Sequence, residues 1–93
     1  MLKLLYLAYT KITDEGLASL VAQPLKSLER LGLSGNHINA AGCATLASAL
    51  RGGALPALDT LNLRGNRASQ KATDAVLDAR KGLTLNPVSA VTW

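Results

Sequence analysis

A chain of 93 residues with 48% hydrophobic content has enough apolar material for one packed domain and too much for a disordered tail. With no Phe and only 3% aromatic residues, its core has to be assembled from many small aliphatic contacts, chiefly Leu and Ala. The net charge of +4 attracts acidic partners at long range, but the Lys and Arg residues are scattered and not interleaved with aromatics, so nucleic acid is not an expected ligand.

The single cysteine, Cys43, cannot close an internal disulfide, and the sequence offers no Asn-x-Ser/Thr acceptor, so a reducing, cytoplasmic setting is expected. No apolar run approaches the roughly 18 to 20 residues needed to cross a bilayer, so no membrane role is expected.

In chain order, the segment from Leu2 to Tyr9 reads as a strand. Its apolar run is short and passes into Thr10-Lys11-Ile12-Thr13-Asp14-Glu15 without an Ala-x-Ala site, which argues against a signal peptide. Thr13 is a good helix N-cap, Asp14 and Glu15 follow where a helix N-terminus favours negative charge, and Leu17, Leu20 and Val21 share one helical face. This helix should stop before Pro24. A second strand carries Leu28, Leu31 and Leu33; a second helix starts after Asn39, turns Cys43, Leu46 and Ala47 inward, and ends at Gly52-Gly53. The third strand carries Leu58, Leu61 and Leu63, and its helix starts after Ser69, presents Thr73, Val76 and Leu77, and continues from Asp74 to Lys81. Gly82 to Pro87 reads as a short strand stopped by proline.

Aligned on these elements, the chain repeats the pattern Leu-x-x-Leu-x-Leu-x-x-Asn-x-Ile three times, as Leu2, Leu5, Leu7, Thr10, Ile12, then Leu28, Leu31, Leu33, Asn36, Ile38, then Leu58, Leu61, Leu63, Asn66, Ala68. The third leucine recurs after 26 and then 30 residues. With Leu33-Ser-Gly-Asn36 and Gly53-Ala-Leu-Pro-Ala-Leu58, the chain resembles leucine-rich-repeat proteins of the ribonuclease-inhibitor-like class over almost its whole length. The resemblance implies an α/β fold, a short right-handed solenoid with a parallel sheet on its concave side and helices on its convex side. Residues 1–93 would then form one domain, with repeats at about 2–27, 28–57 and 58–82 and a C-terminal cap and tail at 83–93.

Alternation along a strand predicts that the two leucines of Leu-x-Leu share the inward face while the x positions line the other. Three outward stripes follow: Leu4, Arg30, Thr60; Tyr6, Gly32, Asn62; and Ala8, Ser34, Arg64. Among these, Tyr6, Arg30, Asn62 and Arg64 are candidate contacts for a protein partner, since Tyr and Arg are enriched at binding hot spots. Lys11, His37 and Arg67 follow the Asn position in each repeat and are expected to form a cationic rim suited to an acidic protein. Asn36 and Asn66 are assigned a structural role, satisfying backbone groups of the turn between neighbouring repeats. Thr10, shorter than Asn, should tie its turn less firmly. Cys43 aligns with the core residue Leu17, and Tyr9 takes the place of Gly35 and Gly65.

His37 is the only histidine, so neither a His-based metal site nor a Ser/His/Asp triad has support; no cofactor, metal or catalytic residue is expected. The function expected is partner binding on the concave face. Alternatives are a regulator similar to Ran-type GTPase activators, which however carry extra repeats and an arginine loop unmatched here. Ile12-Thr-Asp-Glu-Gly-Leu17 also resembles repeats of ubiquitin-ligase substrate-recognition subunits, and the chain could instead be the remnant of a longer array. Because strand one begins at the second residue with no preceding helix to cover its edge, one of three outcomes is expected: self-association through the N-terminal repeat, marginal stability, or a missing upstream segment. Trp93 reads as either a frayed end or a hydrophobic patch on the cap.

Overall fold

A computed structural model describes residues 2–87; the tail beyond, including Trp93, lies outside the described residues. The elements are β1 (Leu4–Tyr6), α1 (Asp14–Val21), β2 (Arg30–Gly32), α2 (Ala40–Arg51), β3 (Thr60–Asn62), α3 (Gln70–Ala79) and β4 (Thr84–Leu85). The four strands form one parallel sheet in sequential order β1-β2-β3-β4. Parallel neighbours need a crossover between them, and each helix supplies one. The α/β alternation with a parallel sheet is that of a short leucine-rich-repeat solenoid.

Register across the sheet is continuous. Leu5 pairs with Leu31, Leu31 with Leu61 and Leu61 with Leu85, so equivalent leucines stand side by side. Leu31 and Leu61 are fully buried, and with Leu28, Leu33, Ile38, Leu58 and Leu63 they form the sheet side of the core. The helices complete it with Leu17 and Val21 from α1, Cys43, Leu46, Ala47 and Leu50 from α2, and Val76 from α3. One face of each strand and one stripe of each helix are thereby removed from water, which at roughly 25 cal/mol per Å² of apolar area is the main stabilising term.

Helix starts follow their caps. Thr13 Oγ1 accepts from the Gly16 N–H at 3.3 Å, and Ser69 Oγ accepts from the Ala72 N–H at the same distance. Asn39 occupies the third N-cap position with extended backbone but accepts no capping bond. Instead Asp14 Oδ1, from the first turn of α1, accepts the Asn39 N–H at 2.8 Å. The second helix stops where Gly53 turns to φ 91°, as the Gly52-Gly53 pair predicts. The third ends at Ala79, two residues short of the expected Lys81.

Candidate interaction surface

The sheet face turned away from the helices holds a row of outward side chains in register: Leu4, Arg30, Thr60 and Thr84. Leu4, Arg30 and Thr84 are exposed and Thr60 is half-buried. In the next row, Tyr6 is 46% exposed. Its neighbour in register, Gly32, has no side chain to present. Asn62, expected as a partner contact, is instead buried at 1% exposure. Its Oδ1 turns back along its own strand to accept the Arg64 N–H at 3.0 Å, so a polar side chain at an outward position is spent on the turn. In the third row Ala8 is half-buried, Ser34 is buried and Arg64 is exposed. Arg64 is not free for a partner in its entirety: its guanidinium donates to the carbonyls of Asn86 at 2.6 Å and Pro87 at 2.9 Å, tying the chain that follows β4.

The asparagines perform the role assigned to them. Asn36 Oδ1 accepts the N–H groups of Thr10 and Ile12 at 3.0 and 2.9 Å, while its Nδ2 donates to Leu7, Leu33 and Ser34 carbonyls. Asn66 repeats this one coil further on, accepting from Ile38 N–H and donating to Leu33 and Leu63 carbonyls. Each amide thus reaches back to the preceding coil. Thr10 does not: its hydroxyl donates to its own Leu7 carbonyl at 2.6 Å and lies 3.3 Å from Asn36 Oδ1.

On the rim, Thr13, Asp14, Glu15, His37, Asn39 and Arg67 line a cleft of about 490 Å³. Ladder bonds hold this edge, from the His37 N–H to the Ile12 carbonyl at 2.8 Å and from the Arg67 N–H to the Ile38 carbonyl at 2.9 Å. The structure brings His37 and Arg67 to one cleft and leaves Lys11 outside it, exposed at φ 62°. The first turn of α1 brings Asp14 and Glu15 to the same cleft as His37 and Arg67, so acidic side chains line it beside the expected basic ones. Such a cleft can hold a polar segment carrying both signs of charge.

Two residues that organise the surroundings escaped the sequence reasoning. Asp14 crosses to α2, and the space it takes is opened by Gly42: a Cβ there would overlap Asp14 Oδ1 and crowd Ile38. A glycine at the third position of a helix was the signal. Arg80 lies half-buried just past α3, and its guanidinium donates to the carbonyls of Ala54 at 2.8 Å and Leu55 at 2.7 Å, with longer bonds to Leu50 and Leu58. A cation is thus fixed over the C-terminal end of α2, where the helix dipole favours it.

Cys43 is buried, as its alignment with Leu17 predicts, and its thiol is pushed above its ordinary value of 9.0 by burial first and the Asp14 charge second. Among the described residues there is no group of three or more His, Cys, Asp or Glu side chains placed to hold a metal ion, and no helix is long and apolar enough to cross a membrane.

A family model described as a leucine-rich repeat matches residues 1–21 and 25–47, within the first two coils. The third coil follows in the same register through β3. The chain is a leucine-rich-repeat protein. Repeats of this family are generally protein-interaction modules and typically lack enzymatic activity. No curated protein was found to match the chain.

Proposed function

We propose that this chain is a non-enzymatic interaction module of the ribonuclease-inhibitor-like kind, working without a cofactor in the cytoplasm. It takes a protein partner across the open face of its sheet. Tyr6 and Arg30 are the principal contacts on that face, with Arg64 at its border, and His37, Arg67 and Lys11 act along the rim. The observation carrying this reading is the continuous register of the sheet: Arg30 stands exposed between Leu4 and Thr60 on a main chain paired on both sides, so a partner meets a row of contacts whose backbone needs no reordering. Scattered basic residues and the +4 charge support an acidic protein rather than a nucleic acid or a membrane surface. Asn62 takes no part, being buried.

Affinity capture on the immobilised chain followed by mass spectrometry tests this reading. A captured partner should lose at least about tenfold in affinity on Arg30→Glu with Arg67→Glu, and weaken steadily with added salt. A partner whose affinity ignores both changes, or the absence of any partner that competes for this face, overturns the assignment.

A further inference from the structure

The large hydrophobic side chains that stand exposed among the described residues all belong to the first coil: Leu2, Leu4, Tyr6 and Tyr9, at 48, 48, 46 and 76% exposure. Leu4 and Tyr6 belong to β1, with Leu2 just before it and Tyr9 in the turn after it, and the second edge of β1 pairs with no described strand. Native edges are usually blunted by charges, prolines or bulges. From Leu2 to Tyr9 there is one charged residue, Lys3, and its ammonium is drawn to Glu29 at 4.0 Å.

Two features oppose another coil stacked on this edge in the regular register. At the position held by Gly35, Gly65 and Tyr9, all with φ between 56 and 71°, a Cβ on Gly65 would come within 3.2 Å of the Gly35 backbone in the preceding coil. Tyr9 has that Cβ, so a regular preceding coil would have to give way by a few tenths of an ångström to stack there. Thr10, in the ladder position, spends its hydroxyl on its own coil and on Asn36, leaving no amide to reach back. The opposite end of the sheet is no better as a mate for head-to-tail addition. There β4 is two residues long, Pro87 has no N–H to donate, and the carbonyls of Asn86 and Pro87 already accept from Arg64.

What remains is the pairing of this edge with itself. We propose that β1 pairs antiparallel with β1 of a second copy of this chain, about a two-fold axis through Leu5, giving one sheet of twice the width. Antiparallel pairing of this kind keeps residue parity, so every side chain stays on its own face. Leu5 meets Leu5 of the copy on the core side, while Leu4 meets Tyr6 of the copy on the open side, in the aromatic–aliphatic pairing that stabilises neighbouring strands. Such an interface is isologous and closes at two chains. Each copy carries +4, so the pair should tighten as salt screens their repulsion. The open faces of both copies stay on one side; the pairing shares Tyr6 with the partner reading above but not Arg30 or Arg67, so failure of the Leu4→Lys test leaves the Arg30→Glu and Arg67→Glu test of that reading standing.

Sedimentation equilibrium over a wide concentration range is the test. The expected result is a reversible monomer–dimer equilibrium that closes at two chains, tightens with salt, and weakens at least about tenfold in Leu4→Lys with its circular dichroism unchanged. Hydrogen exchange on the unaltered chain removes dependence on the variant: amides of residues 3–7 should gain protection as concentration rises. A chain that stays monomeric throughout, a series of ever larger oligomers, or protection gained at residues 84–87 instead overturns the proposal.

Discussion

Coil one and coil two carry the same leucine spacing, yet Leu31, Leu33 and Ile38 are fully buried while their counterparts Leu5, Leu7 and Ile12 are only half-buried. Both sets point inward in register, so strand geometry is not what separates them. Neighbours are. A central coil is covered on both flanks and a terminal coil on one, which is the one-dimensional logic of repeat proteins: stability is a sum of units and the contacts between adjacent units. At the other end, Arg80 fastens the end of α3 to the carbonyls that follow α2, and Arg64 binds the carbonyls that follow β4, so the third coil has arginine fastenings with no counterpart among the bonds of the first.

The contrast is tested most severely by matched truncations. Leu31→Ala should cost about 3–5 kcal/mol and Leu5→Ala less than half of that, because only the first leaves a void with protein on every side. Urea denaturation followed by circular dichroism measures both. Equal losses would mean that coil one is as well covered as coil two and would remove the distinction between them.

Next in size is the ladder. Asn36→Ala leaves the Thr10 and Ile12 N–H groups and the Leu7 carbonyl without the partner they have now, and should cost about 2–3 kcal/mol. Thr10→Ala, at the equivalent place, should cost under about 1 kcal/mol, since its hydroxyl is exposed and binds within its own coil. The two arginines sharpen the comparison at the far end. Arg80→Ala should cost about 1–2 kcal/mol, as several carbonyls over the end of α2 share its guanidinium, whereas Arg64→Ala should cost under about 1 kcal/mol because Arg64 is exposed. If Arg64 proves the more costly, the C-terminal end is held from the sheet side and not from the helix side.

Most of the fold was legible because the features that build it are local and periodic. Leucines at fixed spacing set the strand register, N-caps set the helix starts, and asparagine chemistry set the turn ladder. The surface was less legible, since exposure depends on what a neighbouring coil does. Asn62 follows the outward parity of Tyr6 and is nonetheless buried, because a hydrogen bond two residues along competes for its side chain. The rim looked cationic when Lys11, His37 and Arg67 were aligned, but Asp14 and Glu15 enter the same cleft from a helix start that sequence alignment keeps apart. Arg80 and Asp14 act between coils, and a contact across a crossover of some thirty residues leaves no periodic trace beyond the glycine it requires at Gly42.

The smallest expected effect concerns the seam between coils one and two, where Cys43 lies beneath Asp14. Burial first, and then the Asp14 carboxylate, raise the thiol above its ordinary value of 9.0. A group with a raised value in the folded state binds its proton more tightly folded than unfolded, so its contribution to stability is complete below 9.0 and is lost as pH rises through the folded value. Lysines and tyrosines titrate in the same alkaline range, so the informative quantity is a difference. Urea midpoints measured upward from pH 8 should fall more steeply for the native chain than for Cys43→Ala, which has no thiolate to expose. In Asp14→Asn the steep region should begin at the same pH but end at a lower one, with a smaller total loss, because the weaker of the two causes has been removed while burial remains. Parallel curves for the native chain and Cys43→Ala would mean that the thiol ionises as readily in the fold as in water, which its burial in the core cluster argues against.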